Sequence, residues 1–369
     1  MNLVNCDLRS LQINTMDKKI YCFGSGKYGI ACANVMLDSG FGDKIEAFID
    51  NDSERWGENF VVGDKSYPII SPDELLEKAD SSYYILICCA DVYGVCQQLD
   101  NIKKLSDTPV VIWQLVLSKE YDNNVYQGEF KKVNNPIIPK KIHYCWFGGK
   151  EIPEKLKKYM DSWKLFCPEY QIIRWDENNY DVNKNIYMKQ AYETGNMGFV
   201  PDYARLDIIY EHGGIYLDTD VELISNLDVM LYQEAFCGFN IRRYPSLGLG
   251  FGAVRNQPII KEMRDYYDQI KFIEEDGKAN LMACDLHQYN VLKKYGVRCN
   301  NQYQEIKNMS IYPSTILDSK NCYLHYEHIS DNTIAIHHHN LSWFTEKMNE
   351  DMNNRFDFFN KLNILKSSN

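Results

Sequence analysis

The chain has 369 residues, which is too long for one ordinary core and suits two domains. Hydrophobic residues at 45% and charged residues at 25% are typical of a globular protein. The formal net charge of -11 argues against broad binding to nucleic acid, which depends on neutralising phosphates with lysine and arginine. A phosphorylated small ligand is still compatible with this charge, because a metal ion can supply the missing positive charge.

The 12 cysteines have no spacing typical of a metal or redox motif, since the chain lacks a C-x-x-C pair. Residues 1–17 are mixed and polar, without the apolar core of a secretory signal. No stretch approaches the roughly 20 apolar residues of a membrane span. We therefore predict a cytoplasmic protein with reduced thiols, and peripheral association with the inner membrane face remains an open alternative.

Two α/β blocks can be distinguished along the chain. In the first, short apolar segments such as KKIYCFG, KIEAFID and YYILICCA alternate with helix-like segments, which indicates a parallel sheet. A polar, charged stretch follows, and a second block begins at KKIHYCWFGG. We predict a Rossmann-like domain over residues 1–120, a linker over 121–136 and a second domain over 137–369.

Gly24, Gly26 and Gly29 form a G-x-G-x-x-G sequence between a predicted strand and a predicted helix. Such glycines allow a tight turn and a close backbone approach to a pyrophosphate at the helix N-terminus. Asp50 ends the next predicted strand, where an acidic residue would hold a ribose hydroxyl. The loop predicts a nucleotide or nucleotide-sugar pocket, and the alternative is that the glycines only permit tight packing.

The most informative stretch is FVPDYARLDIIYEHGGIYLDTDVEL. Its first half predicts an amphipathic helix on which Asp202 and Arg205, three residues apart, share a face. Gly213 and Gly214 would end that helix in a left-handed conformation. A short strand containing Tyr216 would then deliver a D-x-D motif.

In an extended segment, the carboxylates of Asp218 and Asp220 would point to the same side. They would repel each other there unless a cation lay between them, and their oxygens suit Mn²⁺ or Mg²⁺. Such a cation could bridge the phosphates of a nucleoside diphosphate and stabilise the leaving group. A D-x-D sequence also arises by chance, as at Asp50 to Asp52, so the interpretation depends on the neighbouring D-x-x-R and G-G sequences.

Three further segments accompany this stretch in order: IPKKIHYCWFGG, SWKLFCPEYQIIRWDE and AIHHHNLSW. Together they resemble glycosyltransferase family 32 and the glucosyltransferase domains of large clostridial toxins. The similarity covers about Ile138 to Phe344. It implies a GT-A-like domain with a mostly parallel sheet and the nucleotide-sugar donor at the strand ends. The first block resembles small Rossmann-like domains found beside other enzymes of bacterial polysaccharide synthesis.

The resemblance also implies roles for individual residues. Asp218 and Asp220 would bind the metal and the ribose or diphosphate, while Asp202 and Arg205 would hold the donor sugar and its phosphate-linked end. Tyr216 would lie beside these residues and contact the donor. Further donor contacts would come from the strand and loop that face the base and from the C-terminal S-W pair: His143, Trp146, Gly148, Ser342 and Trp343.

The C-terminal histidine run is ambiguous by itself. The resemblance implies that His337 or His338 contacts the metal or phosphate, and His339 stands where the family often has an aromatic residue. In a strand, His337 and His339 would share one face and His338 the other, so only a subset could meet one metal.

The predicted activity is transfer of a hexosyl group, with retention, from a nucleoside-diphosphate sugar, most simply UDP-linked. The acceptor would be a saccharide or a lipid-linked oligosaccharide in surface or capsular polysaccharide synthesis. The alternative is an NAD-dependent oxidoreductase that uses the N-terminal glycine loop, and this alternative leaves the acidic motif of the second block unexplained.

Overall fold

The structure of the protein, a computed structural model, describes residues 1–77, 83–123, 126–132, 135–340 and 346–362. It divides into two compact units. The first unit contains residues 1–123, the short segment Tyr323–His325 and the C-terminal helix. The second contains the described residues between 126 and 322 and between 326 and 340.

The strands of the first unit are β1 (Asn2–Leu3), β2 (Lys19–Phe23), β3 (Ile45–Ile49), β4 (Asn59–Val62), β5 (Lys65–Ile70), β6 (Tyr83–Ile87) and β7 (Pro109–Ile112). Its helices, numbered along the whole chain, are α1 (Leu8–Asn14), α2 (Lys27–Asp38), α3 (Pro72–Glu77), α4 (Val92–Asp100), α5 (Trp113–Asn123) and α12 (Glu346–Lys361).

These strands form one sheet in the order β1-β7-β6-β2-β3-β5-β4. Every pair is parallel except β4 with β5. All residues of β6 and β7 are buried, as are four of the five residues of β2. Strands buried in this way carry apolar residues on both faces, which is why the sequence shows continuous apolar runs.

The glycine-rich loop joins β2 to α2 and is held by close packing. Gly24 has φ +115°, and a Cβ there would lie 2.7 Å from the Cβ of Cys89. A Cβ on Gly29 would lie 2.3 Å from the carbonyl oxygen of Gly24, so α2 rests directly against the loop. At Gly26, in contrast, an added Cβ would meet nothing within 4 Å.

We predict that Gly29→Ala destabilises the first unit, because the methyl group cannot fit without moving the loop or the helix. Overpacking of this kind costs about 1–3 kcal/mol. Gly26→Ala is the matched control in the same loop, and it should lower the unfolding free energy by less, because its Cβ meets nothing within 4 Å and only the N-cap preference of α2 is affected. Urea unfolding followed by circular dichroism measures both, and equal unfolding curves for the two variants would contradict the packing argument.

The C-terminal helix α12 belongs to the first unit. Phe359 is fully buried, and the ring of Phe358 lies 5.6 Å from that of Tyr93. The segment Tyr323–His325 joins it, with His325 stacked on Phe356 at 4.1 Å. The predicted second domain, drawn to residue 369, is therefore wrong at its C-terminal end, because α12 belongs to the same compact unit as the N-terminal sheet.

The predicted linker over 121–136 also differs from the structure. Its first residues lie in α5, which continues to Asn123. Tyr126 is buried, and its ring lies 5.6 Å from that of Tyr312 and 5.7 Å from that of Phe130. Although this stretch is polar in composition, two of its aromatic residues, Tyr126 and Phe130, pack against Tyr312 in the second unit.

In the second unit the strands are β8 (Lys141–Cys145), β9 (Gln171–Trp175), β10 (Gly214–Tyr216), β11 (Val221–Leu223), β12 (Ala235–Phe239), β13 (Pro245–Ser246), β14 (Phe251–Ala253), β15 (Gln304–Ile306), β16 (Met309–Tyr312), β17 (Lys320–Asn321), β18 (Tyr326–Glu327) and β19 (Ala335–His337). The helices are α6 (Glu154–Phe166), α7 (Ile186–Glu193), α8 (Pro201–His212), α9 (Pro258–Tyr266), α10 (Cys284–Leu292) and α11 (Ser314–Leu317).

The main sheet has the order β15-β16-β12-β14-β10-β8-β9, and β13 pairs with β12 outside this path. β8, β9 and β10 run parallel, whereas β14 is antiparallel to both β10 and β12. The α/β class is thus confirmed, but the sheet is mixed and not mostly parallel. The short connection from β12 to β14 explains this, because parallel neighbours need a longer crossover.

Helix α8 carries the D-x-x-R sequence. It starts with Pro201 at its first turn and ends at Gly213, which has φ +62°, followed by Gly214 at φ +110°. The predicted glycine stop is therefore confirmed. The predicted amphipathic character is wrong, since the helix is buried on nearly every side, including Asp202 and Arg205.

None of the described helices is both long and apolar enough to cross a bilayer.

Candidate functional site

The D-x-D motif follows β10 at its carboxyl end, in the middle of the sheet. β10 pairs with β8 on one side and β14 on the other, and Leu217 N donates to His143 O at 3.1 Å. The chain then turns, with Val221 N donating to Asp218 O at 3.1 Å. The segment is thus a turn, and the prediction of two carboxylates aligned along an extended strand is wrong.

After the turn, helix α6 anchors the chain again. Trp163 donates its indole N–H to Val221 O at 2.8 Å, and Leu223 N donates to Ser162 Oγ at 2.8 Å. Both partners on α6 are buried, and Trp163 has no exposed surface. The motif is therefore fixed at one end by the sheet and at the other by a helix.

Asp218 lies in a network with α8. Tyr216 donates its hydroxyl to Asp218 Oδ1 at 3.0 Å, and Arg205 Nη2 lies 3.5 Å from the same oxygen. Burial and the neighbouring charge of Asp220 raise the pKa of Asp218, although Arg205 opposes this. Its side chain is 28% exposed, so this carboxylate remains accessible to a ligand.

Arg205 is enclosed by the site. Its Nη2 lies 3.2 Å from Asp202 Oδ1, its Nε donates to Pro201 O at 3.1 Å, and its guanidinium lies 5.1 Å from the ring centre of Tyr216. Burial raises the pKa of Asp202 to about 7, against the effect of Arg205. The predicted shared face of Asp202 and Arg205 thus exists as a buried ion pair next to Asp218.

Gly248 completes this side of the site. An added Cβ would lie 2.8 Å from Asp218 Oδ2 and 3.1 Å from Arg205 Nη1. Only a glycine leaves this space beside the carboxylate open. No motif marks Gly248 individually in the sequence, and the signal that could have found it is the G-L-G-F-G run that contains it.

Asp220 belongs to a different network, formed with the C-terminal strand. Asn340 N donates to Asp220 Oδ2 at 2.7 Å, and His337 Nε2 lies 3.4 Å from Oδ1. Burial acts to raise its pKa, but His337 holds the pKa of Asp220 below its usual range. β11 pairs with β19 in a register that places Val221 opposite His337, which brings the histidine run to the motif.

The three histidines divide as the strand alternation predicts. The rings of His337 and His339 lie 4.2 Å apart on one side. His338 points to the other side, where its Nε2 lies 2.6 Å from Glu222 Oε2 and its ring stacks on Tyr159 at 3.8 Å. The prediction that His338 contacts the metal is therefore wrong, because its ring faces away from Asp218 and Asp220.

A buried carboxylate that no motif indicated joins His337 and His339. Asp318 follows α11 and has no exposed surface. Its Oδ1 lies 3.5 Å from His337 Nδ1 and 2.9 Å from His339 Nε2. No local pattern marks Asp318 in the sequence, because its proximity to the histidines arises only from the pairing of distant segments.

His143, assigned to the face of the nucleotide base, is fully buried. Its Nε2 donates to Gly213 O at 3.0 Å, and its Nδ1 accepts from the indole N–H of Trp175 at 3.0 Å. Both ring nitrogens are thus occupied, so the prediction of a ligand contact through this ring is wrong. Burial lowers the pKa of His143 to about 4, and the ring is neutral with its proton on Nε2.

The loop after β8 contains the other residues assigned to the base. Trp146 is half-buried, and its indole donates to Lys150 O at 2.6 Å. Gly148 has φ +91° and donates its N–H to Glu177. The Trp146 ring therefore remains partly open to a ligand. The assigned Ser342 and Trp343 lie outside the described residues.

In the first unit, Asp50 binds the glycine-rich loop itself. Its Oδ2 accepts from the backbone N–H and the hydroxyl of Ser25, and Arg55 Nη1 lies 3.6 Å from it. The carboxylate assigned to a ribose hydroxyl is thus engaged by the loop. The close contacts at Gly24 and Gly29 agree with the alternative that the glycines only permit tight packing, whereas Gly26 makes no such contact.

We predict that His143→Asn alters the pH dependence of stability. The unfolded histidine takes up a proton near pH 6.5, whereas the folded one stays neutral down to about pH 4. Stability therefore falls as pH drops through this window, by about 3 kcal/mol. Urea unfolding of parent and variant from pH 7 to pH 4 should show a smaller loss for the variant, and parallel curves would contradict the assignment.

Comparison with known proteins agrees with this site. Residues 153–237 match a family described as the glycosyltransferase sugar-binding region containing a DXD motif. Inositol phosphoceramide mannosyltransferase 3 of Schizosaccharomyces pombe is 27% identical over 156 residues, which cover 38% of this chain and 40% of that protein. Uncharacterized glycosyltransferase L373 of Acanthamoeba polyphaga mimivirus is 24% identical over 198 residues, covering 50% of this chain and 77% of the relative.

Two further likenesses are more limited. Subversion of eukaryotic traffic protein A of Legionella pneumophila is 31% identical over 111 residues, which cover 23% of this chain and 17% of that protein. Among solved structures, PaToxG Glycosyltransferase is 18% identical, and the superposed region covers 48% of this chain and 73% of that chain with a TM-score of 0.35.

The matched family model and the relatives from Schizosaccharomyces pombe and mimivirus are glycosyltransferases by description, so this chain is similar to a region of such proteins. The matched region contains the D-x-x-R sequence, both glycines that end α8 and the D-x-D motif. The matched region therefore includes Asp202, Arg205 and Asp218, which lie together in the structure.

Proposed function

We propose that this chain is a family 32-type glycosyltransferase that transfers a hexosyl group from a nucleoside-diphosphate sugar to a hydroxyl group of a saccharide or lipid-linked acceptor. Retention at the anomeric carbon, a GT-A-like fold for the second unit and a role in surface or capsular polysaccharide synthesis belong to the same proposal. The observation that carries it is the position of Asp218 and Asp220 at the end of β10, between Arg205 and His337.

The carboxylates of Asp218 and Asp220 fit a cation site. One residue separates them in the sequence, and the charge of Asp220 contributes to the raised pKa of Asp218. Gly248 leaves space for a ligand beside the Asp218 carboxylate. When bound, Mn²⁺ or Mg²⁺ supplies Lewis-acid stabilisation of the charge that develops on the departing diphosphate. His337 holds Asp220 in place through its Nε2 at 3.4 Å.

Asp202 and Arg205 would orient the donor sugar. Both are almost fully buried, and their mutual contact at 3.2 Å fixes the carboxylate and the guanidinium beside Asp218. Groups that are immobile before the donor arrives lose little conformational entropy when they bind it. In this proposal Asp202 accepts hydrogen bonds from sugar hydroxyls, and the Arg205 edge near Gly248 faces the phosphate-linked end.

The remaining donor contacts would come from Tyr216, which positions Asp218, and from Trp146 and Gly148 at the loop after β8. Ser342 and Trp343 would close over the diphosphate. UDP is the nucleotide that the family resemblance favours. One relative is named an inositol phosphoceramide mannosyltransferase, which makes a mannosyl donor and a lipid-linked acceptor worth testing.

For the first unit we propose a Rossmann-like domain. The strand order β7-β6-β2-β3-β5, with parallel pairing throughout, supports this assignment because it corresponds to the order of doubly wound nucleotide-binding sheets. The domain limits given by the two units and a peripheral association with the inner membrane face belong to the same proposal.

We predict that Asp220→Asn lowers the rate about a hundredfold or more, because several kcal/mol of transition-state stabilisation are lost with the carboxylate. The measurement is release of free nucleoside diphosphate with Mn²⁺, from a panel of UDP-hexoses and GDP-mannose. This panel also identifies the donor.

Asp52→Asn is the matched control for this experiment. Asp52 belongs to the other D-x-D sequence of the chain, where its carboxylate accepts from Glu54 N at 3.1 Å, and asparagine can replace it at such a cap. The control should retain the parent rate. If Asp220→Asn also turned over at the parent rate while the parent chain was active, the assignment of the D-x-D motif would be wrong.

A further inference from the structure

Three ligand atoms converge beside the D-x-D motif without belonging to it. Asp318 Oδ1, His337 Nδ1 and His339 Nε2 all lie within 4.8 Å of one another. Asp318 has no exposed surface, and the side chains of His337 and His339 are 15% and 14% exposed. The cluster is thus largely buried, and only small parts of the two imidazoles are exposed.

The backbone holds these groups in their present orientation. Ile241 N donates to Asp318 Oδ2 at 3.1 Å, which leaves Oδ1 facing the histidines. His339 has φ +49°, a left-handed conformation that is uncommon for any residue other than glycine. This turn brings its ring to 4.2 Å from that of His337. Strain of this kind persists only where the surrounding structure enforces it and is concentrated at functional sites.

The two distances from Asp318 Oδ1 match those between ligands of one metal ion. Two ligand atoms that each lie about 2.1 Å from a metal are about 3.0 Å apart at a right angle and about 3.4 Å apart at a tetrahedral angle. The separations from Asp318 Oδ1 are 2.9 Å to His339 Nε2 and 3.5 Å to His337 Nδ1. Among the described residues, neither of these two buried nitrogens has a hydrogen-bond partner of good geometry.

We propose that Asp318, His337 and His339 form a second cation site for a first-row divalent metal of the Zn²⁺ type, separate from the cation that accompanies the donor. Two imidazoles and one carboxylate suit such metals, and an open fourth position is typical of sites with three protein ligands. Magnesium is disfavoured here, because it prefers oxygen ligands.

The site would act on the transferase through His337. With its Nδ1 on the metal, this ring carries its proton on Nε2, which faces Asp220 Oδ1 at 3.4 Å. A metal-bound histidine that donates to a carboxylate is a common arrangement, and it fixes both groups. The second cation therefore holds Asp220 in the orientation in which it meets the donor. The cation site itself does not depend on the proposed donor chemistry.

The test is titration of the metal-free, full-length chain with Co²⁺ in the absence of nucleotide, followed by the visible absorption of the bound ion, and with Zn²⁺ by calorimetry. We expect one equivalent to bind to the parent. His339→Asn should weaken binding at least about tenfold, as expected for loss of a ligand. Asparagine tolerates a left-handed backbone, so this variant removes the imidazole without new strain. Asp318→Asn should have the same effect.

Two controls separate this site from the donor site. His338→Asn changes the neighbouring ring, which faces Tyr159 and Glu222, and should bind Co²⁺ like the parent. Asp218→Asn should also retain the site while impairing transferase activity. Absence of Co²⁺ binding to the parent, or unchanged binding in His339→Asn, would overturn the proposal. Loss of binding in Asp218→Asn but not in His339→Asn would place the ion at the D-x-D motif.

Discussion

The ion pair between Arg205 and its two carboxylates is the interaction on which the site depends. A buried charge is costly unless it is paired, and removing one partner of a buried pair typically destabilises by about 3–5 kcal/mol. Arg205 faces Asp202 on its own helix and Asp218 after β10, so the compensation of charge also fixes α8 against the sheet. The stability of this part of the fold and the geometry around Asp218 therefore cannot be changed independently.

The two carboxylates of the D-x-D motif are held by separate parts of the chain. Asp218 is tied to α8 and β10, whereas Asp220 is tied to the segment that follows β19. The turn between them joins these two networks, and α6 secures the strand that follows. Residues from four distant stretches of sequence thus meet at one turn.

The sequence predicted those features that depend on neighbouring residues. The glycine stop of α8, the alternation of parallel strands in the first unit and the opposite faces of His337 and His338 follow from backbone conformation and strand periodicity. Features that depend on distant pairing could not be predicted. Asp318 meets the histidines only through the folded second unit, α12 completes the first unit from the far end of the chain, and His143 is satisfied by Trp175 and Gly213.

The position of α12 has a consequence for how the protein is made. A ribosome releases the N-terminal sheet first, and domains generally fold in that order. Here one helix of the first unit, α12, is synthesised after the whole of the second unit, and its Phe359 is buried in the first unit. Until α12 is synthesised, the residues that surround Phe359 lack this partner. The first unit therefore gains its full set of contacts only after the second unit has been synthesised.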